Sequence, residues 1–157
     1  MQALIEHFYT SFQMKDAKGM NSCYHEEIEF TDPAFGTLKG EDVKSMWEML
    51  CKNAVDFKLE FSDVKANKNI GRAHWEAWYT FSKTGRAVHN IIDAQFEWKD
   101  GKIVKHYDAF NLHRWAKQAL GFKGWLLGGT VFFKKKIQQQ TRKSLDSYKR
   151  NIKNNMT

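Results

Sequence analysis

The apolar positions of the chain fall into two regimes. Up to Cys51 they return every three or four residues, and beyond residue 55 they return at every second one. Leu4, Ile5, Phe8, Tyr9 and Phe12 make one face of a helix over 2–13. A shorter helix over 16–24 turns Ala17, Met20 and Cys23 or Tyr24 inward. Ile28–Thr31 reads as a brief strand halted at Asp32-Pro33, because proline has no amide to give a ladder and restricts the residue before it. Gly40-Glu41-Asp42 opens a third helix with its acids at the positive end of the dipole, and Val43, Met46, Trp47, Leu50 and Cys51 form its buried stripe.

The alternation then takes over. Phe57, Leu59 and Phe61 are interleaved with Lys58, Glu60 and Ser62, and Ala73, Trp75, Ala77, Tyr79 and Phe81 with Arg72, His74, Glu76, Trp78 and Thr80. Two more long strands cover 86–98 and 102–111, joined at Asp100-Gly101, a strong two-residue hairpin signal. Helices followed by a meander of antiparallel strands predict an α+β domain with its helices gathered on one face of the sheet.

Charge changes this picture at one end only. Residues 1–129 carry 17 Lys/Arg and 17 Asp/Glu, so the net +7 of the 157 residues belongs to 130–157, where eight cations meet Asp146 alone. The expectation is a neutral domain over 1–129 with a basic helical extension of the same domain over 130–157, rather than a generally basic nucleic-acid binder. Phe133, Ile137, Leu145, Tyr148 and Ile152 form a broken stripe along that helix, expected to dock on the domain or a second subunit. Its removal should cost stability or assembly but spare the site around Asp32 and Asp93. Attachment to a membrane surface is the alternative, because Trp125-Leu126-Leu127 and Val131-Phe132-Phe133 precede three lysines. Cys23 and Cys51 have neither metal nor disulfide spacing, and no apolar run approaches the roughly 20 residues that span a bilayer. A cytoplasmic protein with reduced thiols is expected.

Two segments carry a resemblance. Gln13 to Pro33, ending Glu29-Phe30-Thr31-Asp32-Pro33, resembles the segment of ketosteroid isomerases that ends in Glu-Asp-Pro. His89-Asn90-Ile91-Ile92-Asp93 through Tyr107-Asp108-Ala109-Phe110 is similar to the last two strands of those enzymes, of limonene epoxide hydrolases and of SnoaL-like polyketide cyclases. The order of elements over 2–115 likewise resembles this nuclear-transport-factor-2-like superfamily. The resemblance implies a cone-shaped curved antiparallel sheet, closed by three N-terminal helices around an apolar pocket, with the long C-terminal helix outside it. It implies no cofactor.

Carried over residue by residue, Asp32 matches the isomerase general base and Asp93 its neutral, hydrogen-bond-donating aspartic acid. Asp108 matches one water-activating carboxylate of the epoxide hydrolases. The isomerase oxyanion tyrosine falls at Phe8, with Tyr9 beside it. The hydrolase arginine and second aspartate fall near Trp75 and Ala77.

Apart from any family, an aspartate at 93 inside Ile91-Ile92-Asp93-Ala94-Gln95-Phe96 is unusual for a central strand. His89 shares its face, and His106 shares a face with Asp108. A pocket of Asp32, Asp93, Asp108, His89, His106, Trp75 and Tyr79, with Phe8, Tyr9 and Trp47 from the helices, would suit acid–base chemistry on a small apolar molecule. A non-catalytic ligand-binding or protein-interaction module is the alternative. No histidine or acid has a spacing typical of zinc. Val88, Ile92, Ala94, Phe96 and Trp98 lie opposite Asp93, and that much apolar surface predicts a homodimer through the sheet.

Overall fold

The computed structural model describes residues 1–155. Two helices, α1 (Gln2–Gln13) and α2 (Ala17–Ser22), lead into the hairpin of β1 (Tyr24–Asp32) and β2 (Gly36–Lys39) and then α3 (Glu41–Asn53). The meander follows as β3 (Val55–Ala66), β4 (Ile70–Phe81), β5 (Arg86–Lys99) and β6 (Lys102–Ala109). Three helices end the described chain: α4 (Leu112–Leu120), α5 (Phe122–Leu127) and α6 (Val131–Asn155). The strands form one curved, unclosed sheet in the order β2-β1-β6-β5-β4-β3.

The periodicities account for these elements. Ile5, Phe8, Tyr9 and Phe12 of α1 and Val43, Met46 and Trp47 of α3 are buried against the inner face of the sheet. Asp16 caps α2 by accepting a hydrogen bond from the Gly19 amide at 2.9 Å. Asp100 and Gly101 have φ of 49° and 74°, the double left-handed turn whose twist matches a tight hairpin.

Three expectations need correction. The sheet is not wholly antiparallel, because β1 runs parallel to β6, pairing Phe30 with His106 and Thr31 with Tyr107. A period of two reports which face a side chain takes but not which way the neighbouring strand runs. The first strand is also longer than Ile28–Thr31, since Glu26 and Glu27 occupy outward positions within it.

The third correction concerns the apolar face of β5. Val88, Ile92, Ala94 and Phe96 are each at most 2% exposed, on the inner face of the sheet. The surface invoked for a sheet-to-sheet homodimer is therefore this chain's own core.

The C-terminal helix docks as its stripe requires. Leu145 is fully buried in the main core, Phe133 and Ile137 pack with Ala116, and Tyr148 lies against the main core from its edge. Polar contacts reinforce the seat: Gln138 Nε2 donates to the Pro33 carbonyl at 3.2 Å and Thr141 Oγ1 to the Ala34 carbonyl at 2.9 Å. Arg142 pairs with Asp42 at 2.8 Å, and Lys149 joins the same carboxylate.

Candidate functional site

Between the inner sheet face, α3 and α6 lies a cavity of about 330 Å³. Its wall is rich in rings, among them Phe12, Phe30, Trp47, Trp75, Tyr79, Phe110 and Trp115. Two carboxyl groups, Asp32 and Asp108, open onto it, and α6 contributes Ile137, Gln140, Thr141 and Ser144.

Asp108 reaches the cavity through strand alternation. It pairs with Ala94 across the ladder, so it shares the inner face with Ala94, Ile92 and Phe96. The residue is 2% exposed and its Oδ1 accepts two hydrogen bonds, from Trp75 Nε1 at 3.3 Å and His106 Nε2 at 3.0 Å. His106 Nδ1 lies 2.7 Å from the Tyr24 hydroxyl, which in turn is 2.9 Å from Trp47 Nε1.

Donor chemistry fixes the direction of this chain. An indole nitrogen only donates, so Tyr24 accepts from Trp47 and gives its single proton to His106 Nδ1. The imidazole then carries its proton on Nε2 and donates it to Asp108. Every polar atom from Trp47 to Asp108 is satisfied in that one order, as a buried network requires. Burial, with the charge of Asp108 as a lesser cause, raises the Tyr24 phenol well above its ordinary range, so it keeps its proton.

Asp32 sits where β1 ends. Pro33 stops the ladder, and the carboxylate accepts the Ala34 and Phe35 amides at 2.9 and 2.5 Å as the chain turns into β2. These two bonds favour the ionised form, as does Lys134. Desolvation by the surrounding rings outweighs them, and the negative charge of Asp108 adds to it, so the carboxyl is pushed up to about 7. The Gln138 and Thr141 contacts of α6 fall on Pro33 and Ala34, in the same turn.

The remaining expected site residues divide between the two faces. Trp47, Trp75 and Tyr79 line the cavity, with the Tyr79 hydroxyl accepting from Trp115 Nε1 at 2.8 Å. Burial pushes that phenol up to about 12. His106 stands behind Asp108 as its partner. Phe8 is in the core, edge-on to Trp47 and His106. Tyr9 is fully buried, stacked on Phe61, and its hydroxyl has no partner.

Asp93 and His89 are not in this cavity. Asp93 pairs with Ala109, one step out of register with Asp108, and a single step reverses the face. Its side chain is 79% exposed and bonds His74 Nδ1 at 2.8 Å. His89 lies on the same outer face, stacked on Trp78 and bonded to Glu76. The sequence placed Asp93 and His89 on one face, as they are, but that face is opposite to Asp108, His106, Trp75 and Tyr79. The expectation that α6 can be removed without effect on the site does not fit its position, because α6 lines the cavity and bonds the turn at Asp32.

Tyr24, Trp115 and the α6 residues were not singled out by the sequence. Tyr24 was legible only as an inward aromatic. A signal existed in the need of any buried tyrosine or tryptophan for a polar partner, which His106 and Trp47 supply. Among the described residues, no three His, Cys, Asp or Glu side chains are placed to hold a metal ion. No described helix is long and apolar enough to cross a membrane.

Residues 5–106 match the SnoaL-like domain. The chain belongs to the SnoaL-like family. No curated protein matches it in sequence.

Solved structures share the fold. A Mycobacterium tuberculosis epoxide hydrolase of limonene-epoxide-hydrolase type superposes with a TM-score of 0.63 at 16% identity, over 79% of this chain and 90% of its own. TerC, crystallised with polyporic acid, gives 0.65 at 16% identity, over 75% and 96%. A Catenulispora acidiphila protein with a ketosteroid isomerase-like fold, in complex with trimethylamine, gives 0.65 at 8% identity, over 74% and 91%. The nuclear-transport-factor-2-like fold expected from the two sequence segments is thus established, with α6 outside the matched domain.

Proposed function

We propose that this SnoaL-like protein is an enzyme acting on a small apolar molecule by aspartate acid–base chemistry. The observation that carries the reading is Asp32: a carboxyl poised at about 7 on an apolar cavity, with a second carboxylate, Asp108, on the same wall. A group poised near the working pH exchanges a proton with least loss in either direction. Asp32 takes the role of proton donor and acceptor. Asp108, held by Trp75 and His106, orients a polar atom of the substrate or an attacking water. The ring-lined wall selects an apolar body, and the volume sits at the small end of the range for ligand cavities.

The chemistry is that of isomerases, cyclases or epoxide hydrolases, which share the movement of a proton at a carbon or oxygen centre. Its test is turnover of small apolar epoxides and unsaturated ketones by the full chain, compared with Asp32→Asn and Asp108→Asn. The reading expects activity that both variants lose by at least about a hundredfold, the usual scale of a general acid or base. Activity equal in all three proteins would overturn it.

A second reading, a ligand-binding module without catalysis, is favoured by one observation. Phe8, at the position of the isomerase oxyanion tyrosine, is buried among rings with no hydroxyl to offer. Saturable ligand binding with no conversion, unchanged in both variants, would select it.

A further inference from the structure

Helix α5 is built inside out. An amphipathic helix on a soluble domain turns its large apolar residues toward the core. Here the side toward α4 is made of glycine: a Cβ added at Gly124 would lie 1.9 Å from the Ala116 carbonyl oxygen, and one at Gly128 would lie 2.7 Å from the Ala116 Cβ. The two backbones are pressed together, and His113 Nε2 ties the Trp125 carbonyl at 2.8 Å. The large side chains point the other way. Phe122 is 73% exposed, Trp125 51%, Leu126 60% and Leu127 47%, and the first turn of α6 continues the patch with Val131 at 71% and Phe132 at 70%. Six large apolar residues within eleven positions face water, while the neighbouring Phe133 is buried. Soluble domains rarely leave such a surface without a partner.

The charge around the patch says which partner. From Ala109 to Leu145 the chain has eight Lys/Arg and no Asp or Glu. Lys123 lies within the patch, and Lys134, Lys135 and Lys136 follow it on α6, all exposed. An apolar ridge carrying aromatic rings and bordered by unpaired cations fits the boundary of an anionic bilayer, where rings enter the headgroup layer and lysines meet phosphate. Nucleic acid would use the cations but not Phe122, Leu126 or Phe132. A second copy of this chain would present the same positive field to itself, a repulsion that opposes pairing through this patch.

We propose that α5 and the start of α6 form a docking surface for anionic phospholipid membranes, entered by Phe122, Trp125, Leu126 and Phe132 and held by Lys123, Lys134, Lys135 and Lys136. The protein lies on the bilayer surface, since no described helix is long and apolar enough to cross it.

The full chain is tested by co-sedimentation with vesicles of phosphatidylcholine alone and of phosphatidylcholine with phosphatidylglycerol. Wild type is expected to bind the anionic vesicles at least about tenfold more tightly, with the preference shrinking as salt rises. Two variants separate the contributions: F122S/W125S/L126S/F132S, and K123E/K135E/K136E. Each should lose about tenfold or more on anionic vesicles while keeping the wild-type melting temperature, because the altered side chains are already in water. Brominated acyl chains should quench the fluorescence of wild type more than that of Trp125→Phe. Failure of wild type to bind anionic vesicles would overturn the proposal, as would full binding by the apolar variant. A wild-type dimer that the apolar variant dissolves would assign the patch to a second copy. Salt-sensitive binding to RNA or duplex DNA in preference to vesicles, retained by the apolar variant, would assign the charges to nucleic acid.

Discussion

Asp32 and Asp108 open onto one apolar cavity, and the charge on Asp108 helps to hold a proton on Asp32. The two carboxyls therefore do not act alike. Asp108 has two donors aimed at it, from Trp75 and His106, whereas Asp32 relies on two backbone amides that do not offset the loss of water.

That asymmetry gives a pH-dependent stability. Asp32 titrates at about 7 in the folded chain against an ordinary 3.8, so between those values the native state holds a proton that the unfolded state has released. Stability must then fall as pH rises from about 4 to about 7 and stay level above that. Asp32→Asn keeps the oxygen that accepts the Ala34 and Phe35 amides and removes the charge. The variant should exceed wild type by about 1–3 kcal/mol at pH 8, allowing for some solvent at the carboxyl, and match it near pH 4. Chemical denaturation at the two pH values checks this.

Removing the acceptor at the end of the Trp47–Tyr24–His106–Asp108 chain should be severe. Asp108→Ala leaves the His106 and Trp75 N–H groups buried without an acceptor, at a cost of about 2–5 kcal/mol. Asp108→Asn retains the one oxygen that accepts both bonds and should cost less, losing only the charge that strengthens them. If both variants melted with wild type, the network would not be a structural unit.

Asp93 offers the contrasting case. Its largest effect is on His74, whose pKa is raised chiefly by the Asp93 hydrogen bond. Asp93→Asn should lower the His74 midpoint, followed by NMR titration. Stability should decline only at pH values where His74 is protonated, since a raised histidine contributes below its unfolded pKa and loses that contribution as pH climbs through the folded one. Ligand binding in the cavity should not change. A loss of ligand would return Asp93 to the site.

The seat of α6 should depend on salt. Lys149 and Arg142 both pair with Asp42 and hold its carboxyl below the usual range, the Lys149 hydrogen bond most of all. Asp42→Asn should cost about 1 kcal/mol or less, and added salt should narrow its difference from wild type. Thr141→Val, which removes the bond to Ala34, should instead act on the Asp32 turn and lower activity without that salt response.

The elements were legible in the sequence because each period reports directly which side chains are buried. Alternation within each strand sets Ile92 opposite Asp93 and His89 in β5, and puts Trp75 and Tyr79 together on one side of β4. Relating one strand to the next was a different matter. Whether Asp108 faces with Asp93 or with Ile92 depends on the pairing of Asp108 with Ala94, which the Asp100-Gly101 turn and the irregularity between Glu97 and Trp98 set together. Alternation inside β5 or β6 contains no trace of that offset. The role of α6 at Asp32 was hidden for a related reason, since its stripe shows that it docks but not where.

The contacts from α6 to the Asp32 turn join residues 105 and 107 positions apart in the chain. Sequence separations of that size are slow to close, because loop entropy is lost before the contact forms. The cone can pair its strands as they leave the ribosome, yet its cavity stays open until a helix made more than a hundred residues after Asp32 has arrived. Completion of the site is thus a late event in the making of this protein, and a proline or glycine that slowed the winding of α6 would delay the binding site while leaving the sheet already formed.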